Sequence, residues 1–234
     1  MSLLLTVGTT AYRYLATRHQ KWLCRLKMLS NHQVETDQRF WGLYSQTLSE
    51  GTVVQPLEDF FNLYQIMLKT QRVPGDIAEL GVYRGGSAKL IATLKGQKQL
   101  YLFDTFEGMP AVRADLDVHR AGDFADTSLE AVQKYLAAFN GISFHKGIFP
   151  SSAGELSNTD ARFSFVHLDA DIYASTRAGL EFFYPRTNKG GMILSHDYRS
   201  LGCPGVKQAF DEFFADKQEP VIELWKTQCL VVKQ

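Results

Sequence analysis

The sequence predicts an α/β fold in which a mostly parallel sheet is covered by helices on both faces. Three observations carry this expectation. Short apolar runs recur over 77–80, 100–103, 142–145, 163–168 and 192–194. Segments with apolar residues at helical spacing alternate with them, which is the pattern of strand–helix–strand units. Several of these strands are apolar throughout rather than alternating, as strands buried on both faces are.

At 234 residues the chain has ample length for one large core. Its 25 Lys and Arg balance its 25 Asp and Glu, so no overall field draws in nucleic acid or an anionic membrane. No run is long enough for stable membrane insertion. Cys24, Cys203 and Cys229 are far apart and match no zinc or redox spacing, which reads as reduced thiols in a cytoplasmic protein.

The elements follow in order. Residues 1–31 carry Arg13, Arg18, Lys21, Arg25 and Lys27 without an acid, interleaved with Trp22, Leu23 and Leu26, and predict a basic amphipathic helix. It packs on the domain or a second subunit, or lies on a membrane surface; its short apolar start does not resemble a secretory signal. Phe40, Trp41 and Tyr44 anchor a segment that is either a cover or ordinary packing, so residues 1–55 are assigned to a helical arm or lid and 56–234 to the main domain. Pro56 opens a helix whose apolar stripe runs from Leu57 to Leu68. The first strand follows the turn at Val73, Pro74 and Gly75 and leads through a glycine turn into a second helix. A strand over 100–103, a charged loop over 111–127, a helix over 128–139 and a strand over 142–145 come next. After the strand over 163–168, Ser175 or Thr176 caps a helix that runs to Tyr184. Lys189, Gly190 and Gly191 turn the chain into the strand over 192–194. A last helix over 206–214 precedes closing strands over 221–225 and 228–232.

The glycine turn organises the rest. Gly81, Gly85 and Gly86 stand where a side chain would obstruct either a positive φ or a close ligand. The helix that opens there exposes free N–H groups and the positive end of its dipole. A dinucleotide fingerprint would read Gly-x-Gly-x-x-Gly; here Glu79 stands two residues before the first glycine and would repel a pyrophosphate. A ligand with an ammonium or sulfonium group, such as S-adenosylmethionine, tolerates that carboxylate. Asp104, at the end of the next strand, is placed to accept from both ribose hydroxyls, with Phe106 or Met109 beside an adenine. The remaining strand ends carry Asp169, Asp171, His196 and Asp197. A divalent cation held by Asp169, His196 and Asp197 would relieve their repulsion; alternatively the acids cap helices and bind cofactor or lysine. Oxygen ligands favour Mg²⁺ or Mn²⁺, and the imidazole shifts preference toward transition metals. The 111–127 loop is a candidate lid, and His119 and His145 are lesser candidates for proton transfer.

Several motifs in order carry a resemblance: 79–87 (Glu-Leu-Gly-Val-Tyr-Arg-Gly-Gly-Ser), 103–110 (Phe-Asp-Thr-Phe-Glu-Gly-Met-Pro), 145–149 (His-Lys-Gly-Ile-Phe), 167–176 (His-Leu-Asp-Ala-Asp-Ile-Tyr-Ala-Ser-Thr), 183–186 (Phe-Tyr-Pro-Arg) and 196–198 (His-Asp-Tyr). Together they resemble the macrocin O-methyltransferase family over about 74–214. The resemblance implies a Rossmann-like class I methyltransferase fold with a seven-stranded sheet and a C-terminal antiparallel strand. It also implies an S-adenosylmethionine-dependent, metal-dependent enzyme, often homo-oligomeric, that methylates sugar hydroxyls of natural products. By position it places Glu79, Gly81, Tyr83, Gly85 and Ser87 at the methionine and ribose end, Asp104, Thr105 and Phe106 around ribose and adenine, and Gly147 beside them. Asp169, His196 and Asp197 fall on the family's metal positions, where His196 replaces an acid. Asp169 is then the expected base as well as a ligand. Two other classes share parts of the pattern: an NAD-dependent oxidoreductase, and a catalytically silent nucleoside-binding protein.

Overall fold

The structure is a computed structural model that describes residues 37–234; the basic helix expected over 1–31 lies outside the described residues. The chain divides after Val54 into two units. In the first, helix α1 (Gln38–Ser49) starts where the Asp37 carboxylate accepts from the Phe40 N–H at 2.9 Å, an ordinary N-cap. Phe40 and Tyr44, one turn apart, are buried on its inner side.

The second unit, Gln55–Gln234, holds the sheet. Helix α2 (Leu57–Thr70) leads to β1 (Asp76–Leu80), α3 (Gly86–Leu94), β2 (Leu100–Asp104), α4 (Leu129–Tyr135) and β3 (Ile142–Lys146). A 3₁₀ segment (Ser151–Asn158) precedes β4 (Phe163–Leu168), α5 (Tyr173–Phe183), β5 (Thr187–Ser195), α6 (Pro204–Phe214), β6 (Ile222–Glu223) and β7 (Cys229–Val232). The strand order is β3-β2-β1-β4-β5-β7-β6, parallel from β3 to β5 with β7 antiparallel to both β5 and β6. This is the seven-stranded sheet that the sequence predicts. Helices α2 and α3 pack together on one face, and α5 and α6 on the other. Phe103, Phe149, Phe163, Phe183 and Phe210 build the core under α5 and α6. Alternation along β1 sends Ala78 and Leu80 into that core and leaves Ile77 and Glu79 on the α2–α3 face.

Three expectations need correction. Helix α5 begins at Tyr173, so Ser175 and Thr176 lie inside it and cap nothing. Its free Tyr173 N–H instead donates to Asp117 Oδ1 at 2.8 Å, an acceptor from the long loop. Gly190 and Gly191 do not precede β5 but form a bulge inside it: Phe163 and Phe165 on β4 pair with Thr187 and Met192, and Gly190 takes φ 79°. Helix α4 stops at Tyr135, well short of Phe139.

The connection order reverses between β1 and β4, which opens a crevice at their carboxyl ends. There the backbone of Gly81 (φ 91°) runs so close to β4 that a Cβ would stand 1.9 Å from the Asp169 carbonyl oxygen. Gly81→Ala is therefore expected to destabilise the domain by at least about 2 kcal/mol, from the left-handed backbone and the clash together. A urea midpoint equal to that of the parent chain would refute this.

Candidate active site

The glycine turn is held from below by Asp104. Its Oδ2 accepts from the N–H groups of Val82 (2.7 Å) and Tyr83 (2.8 Å), and its Oδ1 from Phe106 N–H (2.7 Å). These bonds fix two non-glycine residues in left-handed backbone, Tyr83 at φ 50° and Phe106 at φ 54°. Thr105 Oγ1 also approaches Asp104 Oδ1, at 3.4 Å, so most of the carboxylate's roughly four lone-pair sites are engaged within the turn. Gly85, at φ 83°, is the N-cap of α3, and Ser87 lies buried in that helix's first turn. Gly147 ends β3 and donates to the Asp104 carbonyl at 2.9 Å. Thr105 Oγ1 donates to the Gly108 carbonyl, and the Phe106 ring is buried. The turn thus gathers Gly81, Tyr83, Gly85, Ser87, Asp104, Thr105, Phe106 and Gly147 beyond β1, β2 and β3.

Glu79 is fully buried on β1, directly across from His167 on β4, whose Nδ1 lies 2.8 Å from Glu79 Oε1. Glu79 Oε2 is buried without a hydrogen-bond partner. Burial raises the Glu79 pKa above the usual carboxylate value, with His167 and then Ser87 opposing. A buried acceptor oxygen without a partner suits a cationic donor better than a phosphate.

On the other side of the crevice, His196 Nδ1 lies 3.1 Å from Asp169 Oδ1 and 2.6 Å from Asp197 Oδ2. The donor atoms of all three residues fall within 4.8 Å of one another. Neighbouring ligands on a six-coordinate cation with bonds of about 2.1 Å are about 3.0 Å apart, so this set of two carboxylates and one imidazole fits a divalent ion. The nitrogen favours Mn²⁺ over Mg²⁺.

Two residues behind this cluster were not singled out from sequence. Gln55 Nε2 donates to Asp169 Oδ2 at 2.8 Å. Asp59, fully buried on α2, sets its Oδ2 3.5 Å from His196 Nε2. That acid stands at ion-pair distance behind the far ring nitrogen, while Nδ1 faces the other two carboxylates. As a first-turn acid at a helix N-terminus, Asp59 has an ordinary explanation in sequence; only the fold brings it to His196.

The carboxylates differ in proton affinity. Burial would raise Asp169, but His196, then His167 and the Gln55 amide, pull it down to about 2. A carboxylate of that acidity, with one oxygen on His196 and the other on Gln55, is a poor proton acceptor, which counts against Asp169 as the base. Asp171, held at φ 60° at the same strand end, is raised well above the usual range by burial and by the charges of Asp169 and Asp197. It has the higher proton affinity of the two. His145 stacks on Phe103, with ring centroids 4.6 Å apart, and burial lowers its pKa; it is a packing residue. His119 meets Asp171 and Cys203 rather than the Asp169 cluster.

Burial alone would lower the His196 pKa, but Asp169, with Asp197 and Asp59, lifts it well above its usual value. In the metal-free chain that pairing adds stability which is complete below a pH of about 6.5 and is lost as pH rises through the raised pKa. A metal at Nδ1 competes with that proton. Affinity for Mn²⁺ should therefore rise about tenfold per pH unit up to the raised pKa. Calorimetric titration at several pH values measures this, and the slope should vanish in His196→Gln; a slope that persists there refutes the assignment.

The macrocin-O-methyltransferase (TylF) family pattern matches residues 16–228, well beyond the stretch that carries the motifs. A 4'-O-methyltransferase of 8-demethyl-8-(2,3-dimethoxy-alpha-L-rhamnosyl)-tetracenomycin-C from Streptomyces olivaceus is 31% identical over 147 residues, 56% of this chain and 56% of its own length. The chain thus spans little more than half of that relative. Among solved structures, the O-methyltransferase NovP has a TM-score of 0.68 at 24% identity, covering 78% of this chain and 82% of its own. An O-methyltransferase from Bacillus cereus in complex with SAH has a TM-score of 0.59 at 14% identity, covering 88% of this chain and 96% of its own. These two share the fold. With nearly the whole sequence inside the family pattern, the chain belongs to the macrocin-O-methyltransferase family.

Proposed function

We propose that the chain is an S-adenosylmethionine-dependent O-methyltransferase that acts, with a divalent cation, on a hydroxyl of a sugar, glycoside or related small natural product. One observation carries this: the Asp169–His196–Asp197 cluster faces a glycine turn whose buried acid, Glu79, suits a cationic cofactor rather than a dinucleotide. The same acid speaks against the NAD-dependent alternative. Family membership and the glycoside acceptor named for the Streptomyces olivaceus relative support the substrate class.

When bound, S-adenosylmethionine supplies a methyl group on a positively charged sulfur, and a divalent cation supplies Lewis acidity toward an acceptor oxygen. The chain's own residues do the rest. Glu79 receives the ammonium through its unpartnered oxygen, and Gly81, Tyr83, Gly85, Ser87 and Gly147 shape the pocket around it. Asp104 accepts from one ribose hydroxyl, with Thr105 and Phe106 toward the adenine. Asp169, His196 and Asp197 hold Mg²⁺ or Mn²⁺, with Gln55 and Asp59 orienting them. Asp171 takes the proton that leaves the acceptor hydroxyl. The division into an N-terminal helical arm or lid, 1–55, and a methyltransferase domain, 56–234, belongs to the same proposal. The assignment extends to a cytoplasmic homo-oligomer; among the described residues, no helix is long and apolar enough to cross a membrane.

Labelled S-adenosylmethionine incubated with candidate glycosides, with and without chelator, tests this. Transfer to a hydroxyl that stops on chelation is expected; no transfer to any glycoside would overturn it. Asp171→Asn should lower kcat about 10²- to 10⁴-fold while S-adenosylmethionine still binds. Glu79→Gln should weaken cofactor binding by about 1.5–3 kcal/mol, the usual value of a charged hydrogen bond. Unchanged affinity by calorimetry would remove Glu79 from the site.

A further inference from the structure

We propose that His119, Asp171 and Cys203 form a second cation site, adjoining the Asp169–His196–Asp197 cluster and suited to a thiophilic divalent ion of the zinc class. The three residues come from unconnected parts of the fold. His119 is on the 111–127 loop, Asp171 follows β4, and Cys203 immediately precedes α6. Cys203 is buried, at 3% exposure.

The Cys203 thiol donates to Asp171 and touches His119 at hydrogen-bond distances that a shared ion could also span. Cys203 Sγ lies 3.6 Å from His119 Nε2 and 3.7 Å from Asp171 Oδ1, and all three donors fall within 4.8 Å of one another. Tetrahedral zinc, with a sulfur at about 2.3 Å and a nitrogen at about 2.05 Å, separates those two ligands by about 3.6 Å. An ion can therefore be reached by all three side chains with little rearrangement. A mixed sulfur, nitrogen and oxygen set also discriminates against Mg²⁺, which takes oxygen ligands.

A second feature fits the same chemistry. His119 Nδ1 lies 3.2 Å from Asp123 Oδ2. A proton on Nδ1, shared with that carboxylate, leaves Nε2 as the lone-pair nitrogen toward Cys203, the arrangement that orients zinc-bound histidines. The loop that carries His119 is itself anchored two residues earlier, where the two oxygens of Asp117 accept from Tyr173 N–H at 2.8 Å and Arg113 N–H at 2.9 Å. His119 is thus presented from a fixed point.

Binding replaces the thiol S–H bond with a sulfur–metal bond and releases one proton to solvent. An ion so held would pin the loop to the start of α6 and occupy the Asp171 carboxylate, and would inhibit turnover. That last consequence rests on the proposed role of Asp171, whereas the site itself does not.

The test is titration of the full chain with Co²⁺, which reports a bound thiolate by a near-ultraviolet charge-transfer band, followed by displacement with Zn²⁺. A saturable band that is absent in Cys203→Ser and persists in His196→Gln is expected. Asp123→Asn, on an exposed side chain, should weaken binding roughly tenfold or more. Circular dichroism confirms folding of each variant, and His119→Gln, which should abolish or shift the band, carries the test if Cys203→Ser does not fold. No band in the parent chain, or an unchanged band in Cys203→Ser or His119→Gln, would overturn the site. Because the readout is spectroscopic, its failure leaves methyl transfer untouched, and loss of methyl transfer leaves it standing.

Discussion

Everything at the carboxyl edge of the sheet depends on how closely β1 and β4 run where they end. Gly81 N–H donates to the Phe103 carbonyl and Asp169 N–H to the Leu80 carbonyl, so the ladder continues one residue past each strand. A Cβ at Gly81 would collide with the Asp169 backbone. That contact places the first residue of the glycine turn against the first residue of the acidic segment, and so joins the nucleoside side of the crevice to its cation side. The glycine serves backbone packing, whatever ligand arrives.

Around that contact the molecule gathers charge that it only partly compensates. Asp104 is stabilised by three backbone N–H groups, each a charge-assisted bond. Glu79 has one bonded and one orphaned oxygen. Asp169, Asp171 and Asp197 crowd around one imidazole, with Asp59 behind it. The consequence is a division of labour among chemically identical groups. The acid that meets both His196 and Gln55 stays ionised, while the one that faces mainly other acids holds its proton more tightly. This separation of proton affinities is what acid–base chemistry at a buried site requires.

Much of this was legible in the sequence because it is local. Apolar runs that end in or beside Glu79, Asp104 and Asp169 mark strands whose tips carry the chemistry, and they pair in parallel as expected. The acids at strand ends and the adjacent His196 and Asp197 also pointed to one shared edge. What was not legible depends on contacts distant in sequence. Asp59 reads as a helix-start acid until α2 folds over β5. Cys203 matched no cysteine spacing because its neighbours, His119 and Asp171, are 84 and 32 residues away. The choice between Asp169 and Asp171 turned on burial and partner geometry, which no pattern encodes. Ser175 and Thr176 looked like caps because the true acceptor, Asp117, belongs to a loop more than fifty residues earlier.

That loop contact has a mechanical meaning. Asp117 ties the 111–127 segment to the positive end of α5, burying its carboxylate beneath a turn that closes on Arg113. At the other end, Tyr83 and Arg84 hold Asp126, and Thr127 donates to the Tyr83 carbonyl. The segment is therefore moored at both ends, and between the moorings the Asp123 carbonyl accepts from Met109 N–H and Gly122 N–H donates to the Met109 carbonyl. The stretch that bears His119 and Phe124 is thus a braced span, with the Phe124 ring packed edge-on against Tyr83 and beside His119.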